Sequence, residues 1–189
     1  MKTQHNKHLI RTVTVAMMAA LVLVSSYISI PIPTAVGNTR IHLGNVFCLL
    51  AGLLLGWRGG LAAGLGSFIF DLLNPLYIAS APFTLLFKGF MGTTCGAIAH
   101  AGHGEAKRTL RTIVAAVCGA ALYVVLYVGK SGLEAVYVKG FQWNVALVDM
   151  GQKAMVSSIN AVIAVAIAVP LFAALRKSLQ AAKLWHLFE

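Results

Sequence analysis

The sequence predicts an all-α membrane protein of six transmembrane helices with both termini cytoplasmic, an expectation that rests on three observations. Of the 189 residues, 59% are hydrophobic and 11% charged, against roughly 45–50% and about 25% in soluble domains. The apolar residues gather in six segments joined by short polar links. The basic residues flank those segments asymmetrically. This composition excludes a disordered chain and an ordinary soluble enzyme. Spanning helices of about 20 residues each fill the length as a single integral membrane domain over 1–189.

The first segment covers about 10–30 and is closed by Pro31-Ile32-Pro33. Lys2, Lys7 and Arg11 before it imitate the basic region of a secretory signal. The apolar run, however, outlasts the roughly 7–15-residue core of such a signal and has no small-x-small cleavage site after it, so it reads as a retained helix. The second and third segments, about 43–56 and 60–73, are joined by the turn Trp57-Arg58-Gly59. At 1.5 Å per residue each reaches roughly 21 Å, short of about 30 Å of hydrocarbon. The fourth, about 82–100, opens with Pro82, which suits a first helical turn. The fifth covers about 110–128 and the sixth about 148–175, with Pro170 a candidate kink.

With the N-terminus inside, the inner links hold Lys2, Lys7, Arg11, Arg58, Lys107, Arg108, Arg111, Arg176, Lys177 and Lys183, and the outer links Arg40, Lys130 and Lys139. This satisfies the positive-inside bias. The formal net charge of +10 is thereby explained by topology, and no nucleic-acid partner is expected. Gly52, Gly56, Gly60 and Gly64 recur every four residues, as do Gly92 and Gly96. In lipid, small residues at that spacing let helices approach closely. Ala16 and Ala20 repeat the pattern in the first segment, where a partner subunit competes with internal packing as the reason.

Polar side chains at membrane depth are costly, roughly 2.5–3.5 kcal/mol for a central Lys or Asp, so each calls for a partner or a role. Asp149, Lys153, Ser157 and Asn160 fall on one face of the sixth helix. Tyr123, Tyr127 and Lys130 do the same on the fifth, either as an aromatic belt or as part of a site. Lys88 lies one turn or more into the fourth helix and Asp71 near the outer end of the third, where they either pair or meet a substrate. The first outer loop, 31–43, carries Gly37, Asn38, Arg40 and His42 and is long enough to fold over a cavity. Asn74-Pro75-Leu76-Tyr77 and Phe141-Gln142-Trp143-Asn144 add amides and aromatic rings. Together these groups describe an outward pocket with stacking surfaces, hydrogen-bonding groups and a few charges.

Other chemistries fail on spacing. Gly129-Lys130-Ser131 resembles the end of a phosphate loop, but Val124 stands where the motif needs glycine. His100, His103 and Glu105 in a glycine-containing loop are a weak metal set. Cys48, Cys95 and Cys118 have no metal-ligand or disulfide spacing. No catalytic residues, cofactor or metal are expected.

At this point the chain resembles the substrate-binding S components of energy-coupling factor (ECF) transporters, bacterial vitamin importers. The resemblance runs through Arg40-Ile-His-Leu-Gly-Asn45, Gly-Leu-Leu-Leu-Gly-Trp-Arg-Gly-Gly60, Phe-Asp71-Leu-Leu and Ala81-Pro-Phe-Thr-Leu-Leu-Phe-Lys-Gly89. It implies a capture subunit in a bacterial cell membrane that takes a small vitamin-like ligand from outside and works with a transmembrane T component and two ATPases. It also implies that Ala16 and Ala20 dock on the T component. The family pocket maps here onto Arg40, His42, Lys88, Tyr127, Asn144, Asp149, Lys153 and Asn160. The competing readings are a stand-alone carrier or channel and, from another class, a small membrane enzyme.

Overall fold

A computed structural model describes residues 2–101 and 109–183, with side chains described from Leu9 onward. His103, Glu105, Lys107 and Arg108, weighed above, lie outside the described residues. The described chain forms six helices and one hairpin: α1 (Lys2–Tyr27), β1 (Ser29–Pro33), β2 (Asn38–His42), α2 (Gly44–Leu55), α3 (Gly59–Leu73), α4 (Ala81–His100), α5 (Thr109–Leu133) and α6 (Trp143–Ala181). Four stretches have the length and apolarity to cross a membrane, Leu9–Tyr27, Gly44–Leu73, Thr109–Val138 and Trp143–Ala181. α4, which carries Lys88, three threonines and three glycines, falls short on hydropathy. The protein is an all-α membrane protein in its body, corrected by a hairpin where a loop was expected.

That hairpin has a local cause. Ile28-Ser-Ile-Pro-Ile-Pro33 alternates β-branched residues with polar or imino ones, a period of two that suits a strand and not the end of a helix. α1 therefore stops at Tyr27, and β1 pairs antiparallel with β2, Ile30 opposite Ile41 and Pro31 opposite Arg40. α5 outruns its expected end and passes through a π-helical turn at Glu134–Val138. α6 runs 39 residues with Pro170 inside it, because its apolar pattern continues on both sides of the proline.

The 30-residue stretch Gly44–Leu73 folds back on itself at a 3-10 turn, Gly56–Arg58. Gly56 takes φ +63° there, a backbone state that costs a residue with a Cβ about 1–2 kcal/mol. α2 and α3 then lie antiparallel, with Cys48 Sγ 3.7 Å from Ser67 Oγ. α2 touches all five other helices, and α4 packs closely on α2, α3 and α5. Its glycines make that possible: a Cβ added at Gly92 would lie 2.9 Å from Gly60 Cα and 3.0 Å from the Gly59 carbonyl oxygen. Gly92→Ala is accordingly expected to destabilise by about 1–3 kcal/mol through overpacking. Thermal unfolding in detergent checks this, and an unchanged melting temperature would show that the helices need no such contact. The core they enclose includes Leu49, Leu53, Ala62, Met91, Cys95 and Ala115, all fully buried. The three cysteines are free thiols.

Candidate functional site

The connections α1–α2, α3–α4 and α5–α6 meet at one end of the bundle, and beneath them lies a cavity of about 220 Å³. The hairpin is its cover. Ala35 N donates to Gln152 Oε1 at 2.8 Å and Val36 N to Asp149 Oδ1 at 3.1 Å, so the hairpin tip is fastened to α6. Lys139 Nζ donates to the Val36 carbonyl at 3.4 Å, and Tyr127 Oη to Thr39 Oγ1 at 3.2 Å. At the base of the hairpin, His42 N donates to Asn160 Oδ1 at 3.4 Å. These are long-range bonds between elements that no local propensity brings together.

Arg40 is held from three sides. Its Nη2 donates to Asp71 Oδ1 at 3.0 Å, and its guanidinium stands 4.1 Å from the Phe70 ring centroid and 4.3 Å from that of Tyr77. Asp71 thus pairs with Arg40, and not with Lys88 as one reading of the sequence had it. The reason is the hairpin, whose second strand carries Arg40 into reach of α3. Lys88, 2% exposed, donates to Asn45 Oδ1 on α2, with its ammonium 4.4 Å from the Tyr123 ring centroid. Tyr123 and Tyr127 stack, 5.8 Å between centroids and 13° between planes. On α6, Lys153 Nζ meets Asp149 Oδ2 at 2.9 Å and donates to Ser131 Oγ at 2.7 Å. Lys130 and Lys139 both pair with Glu134.

Of the residues onto which the family pocket maps, Arg40, His42, Lys88, Tyr127, Lys153 and Asn160 line this cavity, as do Asp71, Tyr123, Lys130 and Ser157. Asp149 stands behind the wall, fully buried, holding Lys153, Ser131 and the hairpin tip. Asn144 is not brought to the site: it is exposed at the start of α6, where its Oδ1 accepts from Val145 N. The neighbouring Phe141, Gln142 and Trp143 are also absent from the lining, because α6 begins earlier than its hydropathy suggested. Asn45, Ser131 and Glu134 escaped selection. Asn45 carried a usable signal as an amide inside an apolar stretch, and Ser131 continues the Tyr127 face by one turn. Ala16 and Ala20 lie on the exposed side of α1, remote from the cavity.

His42 is buried, and burial first, then the charges of Lys88 and Arg40, push its pKa well below its ordinary value. Its Nδ1 accepts from Gly44 N at 3.1 Å, so the neutral ring carries its proton on Nε2. The folded pKa lies below the unfolded one, so the unfolded state binds more protons as the medium is acidified. The stability contributed by neutral His42 is present above about pH 6.5 and lost as pH falls below it. The melting temperature is therefore expected to drop between about pH 7 and pH 5, and His42→Gln is expected to flatten that slope. An equally steep slope in the variant would assign it to another group.

Fold and cavity define a multi-pass membrane protein with a polar-lined cavity at one end of its helices. The profile of the family described as "ECF-type riboflavin transporter, S component" matches residues 6–177, and the chain belongs to that family. It is a substrate-binding transport subunit and not an enzyme. No curated protein matches the chain.

Proposed function

We propose that this chain is the capture subunit of an ECF-type importer in a bacterial cell membrane. It takes a small water-soluble vitamin from outside into the cavity under the hairpin. A T component and two ATPases then drive its release inside. The observation that carries this reading is the covered cavity itself, lined by fixed cations and stacked tyrosines, in a chain of this family. In this reading Arg40, His42, Lys88, Tyr127, Lys153 and Asn160 touch the ligand, and Asp149 holds Lys153 and the hairpin in place. The asymmetry of basic residues supports six crossings, two of them the short helices α2 and α3, with both termini inside. Riboflavin, named in the family's description, is the first ligand to test.

The test is mass spectrometry of small molecules retained by the chain purified alone in mild detergent from cells grown on rich medium. One vitamin-like compound at near-stoichiometric amount is the expected result. Uptake of that compound in cells with and without the energising module completes it. Uptake that persists without the module would replace the importer subunit with a stand-alone carrier.

A further inference from the structure

The cavity carries more positive than negative charge, and the excess lies on Lys88 and on the two lysines that share Glu134. Arg40 has Asp71, Lys153 has Asp149, and Lys130 and Lys139 share Glu134. Lys88 pairs with no carboxylate among the described residues. Its buried ammonium has an amide oxygen of Asn45 and the face of Tyr123. These partners offer partial charges only, and an ammonium brings three donors and a full charge that burial leaves poorly compensated.

Arg40 gives a second, independent sign. Its Nη1 is buried without a hydrogen-bond partner among the described residues, while Nη2 is engaged by Asp71 and two rings fix the guanidinium plane. A buried donor left without a partner is uncommon in native structures. Here the donor belongs to a side chain that cannot turn away to find one. Both groups line the same cavity.

We infer that the captured molecule carries an oxyanion, a carboxylate or a phosphate, that seats against Lys88 Nζ and the open edge of Arg40. The inference rests on the capture reading and sharpens it. An oxyanion offers several acceptor positions, so one group satisfies both donors with charge-assisted bonds. The stacked Tyr123 and Tyr127 are left to face the remainder of the ligand. A ligand without such a group leaves both charges as they stand in the empty protein.

The experiment is binding to the purified full-length chain of matched pairs that differ in this group: riboflavin and riboflavin 5′-phosphate, nicotinamide and nicotinate, pantothenol and pantothenate. The compounds retained from cells are analysed alongside. In at least one pair the anion is expected to bind ten-fold or more tightly than its neutral partner, or the retained compound to carry a carboxylate or phosphate. Lys88→Met is expected to shrink that preference, but the wild-type comparison decides without it. Neutral members that bind as tightly as their anions in every pair, with no anion among the retained compounds, overturn the oxyanion and leave the capture reading intact. A folded chain that retains nothing and binds none of the six overturns both.

Discussion

Asp149→Ala is expected to cost about 3 kcal/mol of stability and to weaken ligand binding by one to two orders of magnitude. Asp149 is fully buried and uses both oxygens: Oδ2 faces Lys153 Nζ at 2.9 Å and accepts from Ser131 Oγ at 3.1 Å, while Oδ1 accepts from Val36 N at 3.1 Å. Removing the carboxylate strands the Lys153 ammonium with a hydroxyl. Breaking one side of a buried ion pair typically costs about 3–5 kcal/mol, and the lower figure applies because Lys153 borders the cavity, where water can reach it. For a chain of this size that corresponds to a fall in melting temperature of about 6–12 °C. The affinity loss has a different origin. The hairpin tip loses its buried anchor and keeps the exposed bond from Ala35 to Gln152, so the ligand must order the cover as it binds. Asp149→Asn, which keeps an acceptor for Val36, is expected to recover part of the affinity but little of the stability. Calorimetry with thermal unfolding separates the two, and wild-type values for both in Asp149→Ala would remove Asp149 from any role in holding the site.

The same residue marks where reading the sequence succeeded and where it stopped. Asp149, Lys153, Ser157 and Asn160 were legible as one stripe because helical period alone puts them on one face, and the structure keeps them there, three lining the cavity and Asp149 behind it. The turn between α2 and α3 was legible because the glycines around Trp57 punctuate an apolar run. What period and punctuation do not carry is pairing between elements. Nothing local says that Arg40 reaches Asp71, that Lys88 reaches Asn45, or that Val36 reaches Asp149 across 113 positions of sequence. The pairings of Arg40 and Val36 follow from the hairpin, and the hairpin was hidden because Ile28, Ile30 and Ile32 extend an apolar run that hydropathy reads as more helix. The misplaced Asn144 has the mirror cause, a helix start judged by hydropathy when the helix begins five residues before the apolar stretch.

Ala16→Trp is expected to abolish transport while leaving ligand affinity within about two-fold of wild type. α1 turns Met18 and Val22 inward, with the Ala19 carbonyl against Gly66 of α3, and presents Val13, Ala16, Met17, Ala20 and Val24 outward. In a bilayer an exposed apolar face by itself signals only lipid. The two alanines add a notch one helical turn long between larger side chains, and close van der Waals approach at such notches is what holds helices together where no hydrophobic force between them exists. A tryptophan fills the notch without touching the inward face. No described side chain of α1 lines the cavity, so the ligand site has no route to feel the change except through a disturbed fold. Binding by calorimetry and uptake in cells expressing the T component and ATPases therefore separate the cases. Lost uptake with intact binding assigns the face to a partner helix. Lost binding would make the alanines part of the chain's own packing, and two unchanged readings would return the face to lipid and require the T component to dock elsewhere.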